Sequence, residues 1–411
     1  MLTRRYFLRG SAVVMAGMGA VPGWLARAAA TEGKKRKTVV AIFLRGAADG
    51  LNIVVPFGDK RYRELRPTLA IQPPTRENNA NQFNGSIDLD GNFALHGAMQ
   101  PLKTLWDKKQ LAIIEATGSP DPSRSHFDAQ DYMESGTPGK TTGNGWLNRA
   151  LPDEDGASPL RAVALGSQVP RTLRGDREVI ALGNAQQFNL GNEDASAILQ
   201  SMYSTTADAP LGRTGKDAFA AMKMIQSINQ GPLTPAANGN GPQFNQGGQL
   251  GQSLQLLARL IKADAGVEAA FAEIGGWDHH GNENQQLSNL LRQFSTAIAS
   301  FCHEMGDRME DIVLVTMSEF GRTVGENGNA GTDHGHGSMM MVLGGSVQGG
   351  KVYGKWPGLE REQLYEGRDL AVTTDFRAVL SELVRGHFGQ NDVRAVFPGF
   401  EAGAPLGLLR G

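Results

Sequence analysis

Five of the eight histidines in this 411-residue chain fall in three short polar stretches that also carry carboxylates. The stretch GGWDHHGN, residues 275–282, sets Asp278, His279 and His280 directly behind the apolar run 267–274. Imidazoles beside a carboxylate, at the point where a buried strand leaves the core and the backbone turns at Gly281, suit metal binding better than solubility. GTDHGHG, residues 331–337, adds Asp333, His334 and His336 in a glycine-rich loop, where short ligand side chains can approach an ion without crowding. Asp49 in RGAADGLN and Glu319 in MSEFGR are further carboxylate candidates. Each has a plainer alternative: Asp49 as a turn residue before a glycine, Glu319 as the ion-pair partner of Arg322 three residues on.

A nucleophile candidate lies in GSPDPSRSHFDAQD, residues 118–131. Ser125, with Asp128 three residues later, marks a helix start, where unpaired backbone N–H groups and the helix dipole favour an anion. It is either a cap alone or a reactive serine flanked by Arg124 and His126, with Ser123 as second choice. His126 and His336 are the candidates for protonating a leaving group. His96, His303 and His387 are read as ordinary helix or surface residues. Hard carboxylates mixed with imidazoles suit Zn²⁺ or Mn²⁺, one ion or two, which could activate a serine oxygen and hold the leaving oxygen of a phosphoryl or sulfuryl group.

The elements that must position these groups read as alternating strands and helices. Short β-branched runs at 38–44, 111–117, 161–166, 267–276, 311–318 and 339–345 predict strands. Helical periodicity predicts helices at 97–108, 126–135, 192–203, 215–229, 249–265, 285–307 and 375–386, the last capped by Asp375. This alternation argues an α/β layered fold with a largely buried sheet. Four of the polar clusters follow strands, and ligands of open α/β sheets bind outside the carboxyl ends of the strands. Residues 230–252, rich in Gly, Asn, Gln and Pro, predict a mobile loop inside a single domain spanning 38–400.

Composition, 40 % hydrophobic and 20 % charged, is ordinary for a globular chain. Residues 1–30 read as an export signal: Arg4 and Arg5 sit between Thr3 and Phe7–Leu8, ahead of a weakly apolar, glycine-containing segment and small residues. The run is short of the roughly 20 apolar residues a spanning helix needs and contains Pro22, so a stable membrane span is not expected. Cleavage near residues 28–30 predicts a periplasmic or secreted protein that has met the twin-arginine export machinery. Removing residues 1–28 takes four arginines and no acid, leaving net charge −6 and a poor non-specific nucleic-acid binder. Cys302 has no partner in the chain and reads as a small core residue.

The motifs GGWDHHGN, TMSEFGRTVGENGNAGTDHG, GSPDPSRSHFDAQDYME and RDLAVTTDFRAVLSELV together resemble the bacterial family known as domain of unknown function 1501, over roughly residues 38–400. The resemblance implies membership of the alkaline phosphatase and sulfatase-like superfamily, with a three-layer α/β sandwich, a large, mostly parallel central sheet and a metal site at the sheet's carboxyl edge. By the order of that superfamily's site it implies Asp49 as first ligand, Ser125 as nucleophile, Asp278 and His280 as the next pair, Glu319 as the later carboxylate and His334 as the last histidine. Phe320 stands where that order has a second histidine, so a second ion would be weakly held, completed by Asp333 or His336, or absent. Pro120 occupies the position converted to formylglycine in the related sulfatases, which counts against that branch. The expected activity is an exported, metal-dependent hydrolase of small-molecule or polymer esters, phosphate first and sulfate second. The alternative is a binding or assembly protein that keeps the fold without turnover. A third reading, carbohydrate binding or polymer processing, draws on Trp277, Trp356 and Tyr353 as exposed aromatics.

Overall fold

The structure, a computed structural model, describes residues 36–75, 85–139, 142–154, 157–183 and 241–410. The export segment and the predicted helices at 192–203 and 215–229 lie outside the described residues. Twelve strands run through the described chain: β1 (Thr38–Arg45), β2 (Val54–Val55), β3 (Ser86–Asp88), β4 (Ala94–His96), β5 (Leu111–Gly118), β6 (Ala162–Ala164), β7 (Ile180–Ala181), β8 (Ala269–Gly275), β9 (Ile312–Met317), β10 (Ser338–Gly344), β11 (Lys351–Tyr353) and β12 (Thr374–Asp375). Nine of them form one sheet in the order β11-β5-β10-β9-β1-β8-β6-β7, with β12 also paired to β5, and the remaining three form a small sheet, β2-β4-β3. Pairing in the large sheet is parallel throughout except at β10, which runs antiparallel to both β9 and β5.

Burial explains why the central strands read as continuous apolar runs rather than alternating ones. In β1, Val40, Ile42 and Leu44 pack into one core and Val39, Ala41 and Phe43 into the other, so both faces of the sheet are covered. The first core is closed by helices α1 (Gln100–Asp107), α4 (Gly248–Lys262) and α5 (Glu283–Met305), and the second by α3 (Trp146–Ala150) and α6 (Phe376–Phe388). Helix α2 (His126–Ser135) begins after Ser125 and ends at Gly136, whose φ of 67° lies in the left-handed region a glycine accepts most readily. The Asp375 side chain caps α6 by accepting from the Arg377 N–H. Cys302 is buried in α5, and burial pushes its thiol up to about 12.

One expectation is corrected, and another only over residues 241–252, since residues 230–240 of the expected loop lie outside the described residues. The stretch 230–252 is described from residue 241 onward, and there it is a short 3-10 turn, Phe244–Gly247, followed by α4. Leu250, Leu254 and Leu257 recur at helical spacing and are buried, while Gly247 and Gly251 are points of close approach: a Cβ on Gly251 would lie 2.0 Å from the Phe244 carbonyl oxygen. Glycine here serves packing, not mobility. Trp277 and Tyr353 are buried rather than exposed, and Trp356 packs edge-on against Phe93 with ring centroids 5.3 Å apart. Among the described residues no helix is long and apolar enough to cross a membrane.

Candidate metal centre

Strand direction gathers the polar clusters. β5, β8, β9 and β1 all run the same way, so the segments that follow them emerge at one edge of the sheet. Because β10 is reversed, the segment that precedes it, carrying His334 and His336, arrives at that same edge. His126, Asp278 and His334 offer ligand atoms that all lie within 4.8 Å of one another and could hold a metal ion.

Three imidazoles present their Nε2 atoms inward. His334 Nε2 lies 3.0 Å from His126 Nε2 and 3.1 Å from His280 Nε2. Asp278 Oδ1 is 3.0 Å from His280 Nε2 and 3.2 Å from His334 Nε2, and its Oδ2 is 3.5 Å from His126 Nε2. Each ring is fixed from behind by an acceptor: His126 Nδ1 by Glu319 at 2.8 Å, His280 Nδ1 by Asp333 at 3.0 Å, and His334 Nδ1 by the Arg124 carbonyl at 3.0 Å. Carboxylates and carbonyls accept, so they place a proton on each Nδ1 and turn the three Nε2 lone pairs toward one another and toward Asp278. One extra proton could bridge a single such contact. A divalent cation held by His126, Asp278 and His334 would satisfy the contacts among those three, and acceptors behind the rings are the partners that orient metal-bound imidazoles.

The charges around the cluster follow from burial opposed by specific partners. Glu319 is 1 % exposed and accepts from Gly46 N, Gln130 Nε2 and His126 Nδ1 on one oxygen and from Ser318 Oγ on the other. Burial alone would raise its pKa, yet the bonds from His126, Gln130 and the backbone bring it below the ordinary value. The same contact with Glu319 raises His126 against the effect of burial. His334 is lowered, first by burial and then by its neighbour His126. Burial pushes Asp278 up, but Arg322 Nη1 at 2.6 Å holds it net below the usual carboxylate range. Arg322 is itself buried and braced by the Thr332 hydroxyl and carbonyl.

Several residues named from the sequence lie elsewhere. Both oxygens of Asp49 are taken by Arg66, Oδ2 at 2.5 Å and Oδ1 at 2.9 Å, in a fully enclosed pair, so this carboxylate is neutralised by a guanidinium and is not among the converging atoms. Glu319 and Asp333 stand one bond behind the imidazoles rather than beside them. His336 stacks on Tyr365, centroids 4.4 Å apart, outside the cluster, and burial lowers its pKa. Arg124 is bound by Asp369 and Glu366, each at 2.6 Å. Ser125 is exposed and makes no side-chain cap bond, although the residues on either side of it both touch the imidazole cluster. His279 is buried, and burial lowers its pKa.

Sequence reasoning missed Arg66 as a counter-ion and Gln130 as the bridge to Glu319, and it set Arg322 against Glu319 rather than Asp278. Only Gln130 had a usable signal, four residues after His126 and so on the same helix face.

The family described as a protein of unknown function (DUF1501) matches residues 36–396. This chain belongs to that family. No curated protein matches the DUF1501 sequence described here. Among solved structures, the PsFucS1 sulfatase from Pseudoalteromonas sp. aligns with 93 % of this chain and 74 % of its own, at 10 % identity and TM-score 0.38. Ps i-CgsB in complex with k-i-k-neocarrahexaose aligns with 89 % of this chain and 74 % of its own, at 11 % identity and the same TM-score. The alkaline phosphatase from the Antarctic bacterium TAB5 aligns with 76 % of this chain and 93 % of its own, at 11 % identity and TM-score 0.29. At scores this low the likeness is distant, and the chemistry of the site rests on its own residues.

Proposed function

We propose that this chain is an exported, metal-dependent hydrolase of phosphate esters, with sulfate esters as the second substrate class. The observation that carries the proposal is the convergence of three imidazole lone pairs and one carboxylate, each ring held from behind by an acceptor. Nitrogen ligands with a single carboxylate favour Zn²⁺ or Mn²⁺. One ion fits better than two, because Arg66 already compensates Asp49, the carboxylate a second would need. When bound, such an ion supplies Lewis-acid polarisation and charge neutralisation at the ester oxygens.

The chain's own groups then have distinct tasks. Glu319 and Asp333 fix the orientation of His126 and His280, and the Arg124 carbonyl fixes His334. Arg322 holds Asp278 ionised at neutral pH. Ser125 is the group for nucleophilic attack, since its hydroxyl is exposed, uncommitted to capping and set at the positive end of α2. Both ring nitrogens of His126 are engaged at the cluster, which removes it as the leaving-group acid.

Protein purified without chelator is expected to carry one Zn or Mn per chain by elemental mass spectrometry and to turn over aryl phosphates. Less than one ion per chain, or full turnover by Ser125→Ala, overturns the assignment. The pairing of Arg124 with Asp369 and Glu366 favours a second reading, a binding protein that keeps the ion without turnover. Vanadate captured on Ser125 argues for the hydrolase, and an ion-replete protein that ignores vanadate argues for the binding protein.

A further inference from the structure

A cavity of about 340 Å³ opens between α2, the ends of β1 and β8 and the segment that follows β6. That volume falls in the range of small-molecule sites, about 300–1,000 Å³. Arg45, Arg171 and Arg174 line it together with Asp131, Glu134 and Glu273. Arg45 forms one wall, stacked 4.6 Å over Phe43 and fixed by Glu273 at 2.6 Å, Glu134 at 2.9 Å and Gln130 at 2.9 Å. Gln130 in turn donates to Glu319, the acceptor behind His126, so a chain of bonded side chains runs from the cavity wall to the cluster. Along α2, Asp131 and Glu134 lie five and eight residues beyond His126, roughly 8–12 Å at 1.5 Å per residue.

The bonding capacity left open in this cavity is specific. Glu273 meets Arg45 through one oxygen, Arg171 meets Asp131 through one nitrogen and one oxygen, and Arg174 uses only Nε, on the Val169 carbonyl. Ser167 and Gln168 line the same wall, are exposed, and make no side-chain hydrogen bond among the described residues. The three guanidinium groups and three carboxylates cancel, so a charged ligand gains little from the wall as a whole. Hydroxyl groups both donate and accept and match a wall that offers both donors and acceptors. A planar guanidinium and a planar carboxamide can each engage two adjacent hydroxyls.

We infer that this cavity is a subsite for a neutral, polyhydroxylated ring, a hexose-like group, carried by the ester on the side away from the group being transferred. Its place on the ester rests on the function proposed above; the binding itself does not.

Saturation-transfer NMR on the full chain with glucose, galactose, mannose, maltose and lactose tests it. A signal is expected from one or more of these sugars. In Gln168→Ala/Arg174→Ala the binding should weaken about tenfold, as losing two hydrogen-bonding side chains implies. Both positions are exposed, and an unchanged melting temperature verifies folding. No signal from any of the five, or a signal indifferent to the double substitution, overturns the subsite. Sugar binding in a protein that turns over no ester keeps the subsite and removes the hydrolase reading. Aryl phosphate turnover with no sugar signal does the reverse.

Discussion

Asp49 and Asp278 are both carboxylates at the sheet edge, and what separates them is the geometry of their partners. Asp49 is buried, and burial alone would keep it protonated, but Arg66 engages both of its oxygens and lowers its pKa. Asp278 keeps its oxygens among the Nε2 atoms, with Arg322 on one side. Removing one member of an enclosed ion pair leaves the other charged and unsolvated, at a cost of about 3–5 kcal/mol. Arg66→Leu is therefore expected to lower stability by that amount in urea unfolding, and Asp49→Asn to be destabilising while retaining its bound ion. Asp278→Asn should instead lose the ion in elemental analysis, with its urea midpoint falling to that of the ion-stripped parent. Ion loss in Asp49→Asn with Asp278→Asn unaffected would show that the roles of the two aspartates are reversed.

Among the elements, β10 does the most to assemble the cluster, because its reversal delivers the 331–337 loop to an edge otherwise built from strand ends. That loop packs directly on the 279–282 turn: a Cβ on Gly331 would lie 2.3 Å from the His280 carbonyl carbon and 2.4 Å from the Gly281 nitrogen. Gly331→Ala must push the two segments apart, at about 1–3 kcal/mol for overpacking. The expected result is a lower melting temperature together with loss of the ion, because His280 moves away from His334; an ion-replete Gly331→Ala counts against the shared position of these loops. Strand β5 offers an independent test. Glu115 is buried there with no side-chain partner for its carboxylate among the described residues, and burial raises its pKa well above the usual carboxylate value. A carboxyl with a raised folded pKa keeps its proton in the native state after the unfolded chain has lost it. Stability then falls as pH rises above about 4.5, by about 1.4 kcal/mol per unit until the folded value is reached. Glu115→Met removes that titration, so its melting temperature relative to the parent should be higher at pH 8 than at pH 4. The strands were legible as apolar runs; a polar motif behind one of them marked Asp278 and His280 as candidates, and the glycine-rich loop ahead of the run 339–345 marked His334. Partners distant in sequence were not legible. Arg322 lies three residues from Glu319 and suggested that pair, whereas in space it reaches Asp278, 44 positions away. The glycines of 241–252 suggested a loop because composition does not distinguish a glycine used for flexibility from one used for close packing.

At the scale of the whole molecule, the proposed ion couples the site to folding. Its ligands come from positions 126, 278, 280 and 334, on three separate segments that only the folded sheet edge brings together, so the unfolded chain offers no comparable site. An ion that binds only the native state stabilises it by RT ln(1 + [L]/Kd), about 2.7 kcal/mol at a hundredfold excess over Kd. A chain of this length spreads that free energy over a large unfolding entropy, so stripping the ion with chelator should lower the melting temperature by only a few degrees. Asp278→Asn supplies the internal control, since a protein without the site has nothing for chelator to remove and its melting temperature should not respond. Restoring Zn²⁺ to the stripped parent should recover the lost degrees, and Mg²⁺, which prefers oxygen ligands and keeps its waters, should not. An equal chelator response in parent and Asp278→Asn would place any stabilising ion elsewhere in the molecule. It would also leave the inward-facing imidazoles at His126, His280 and His334 without the charge that their arrangement requires.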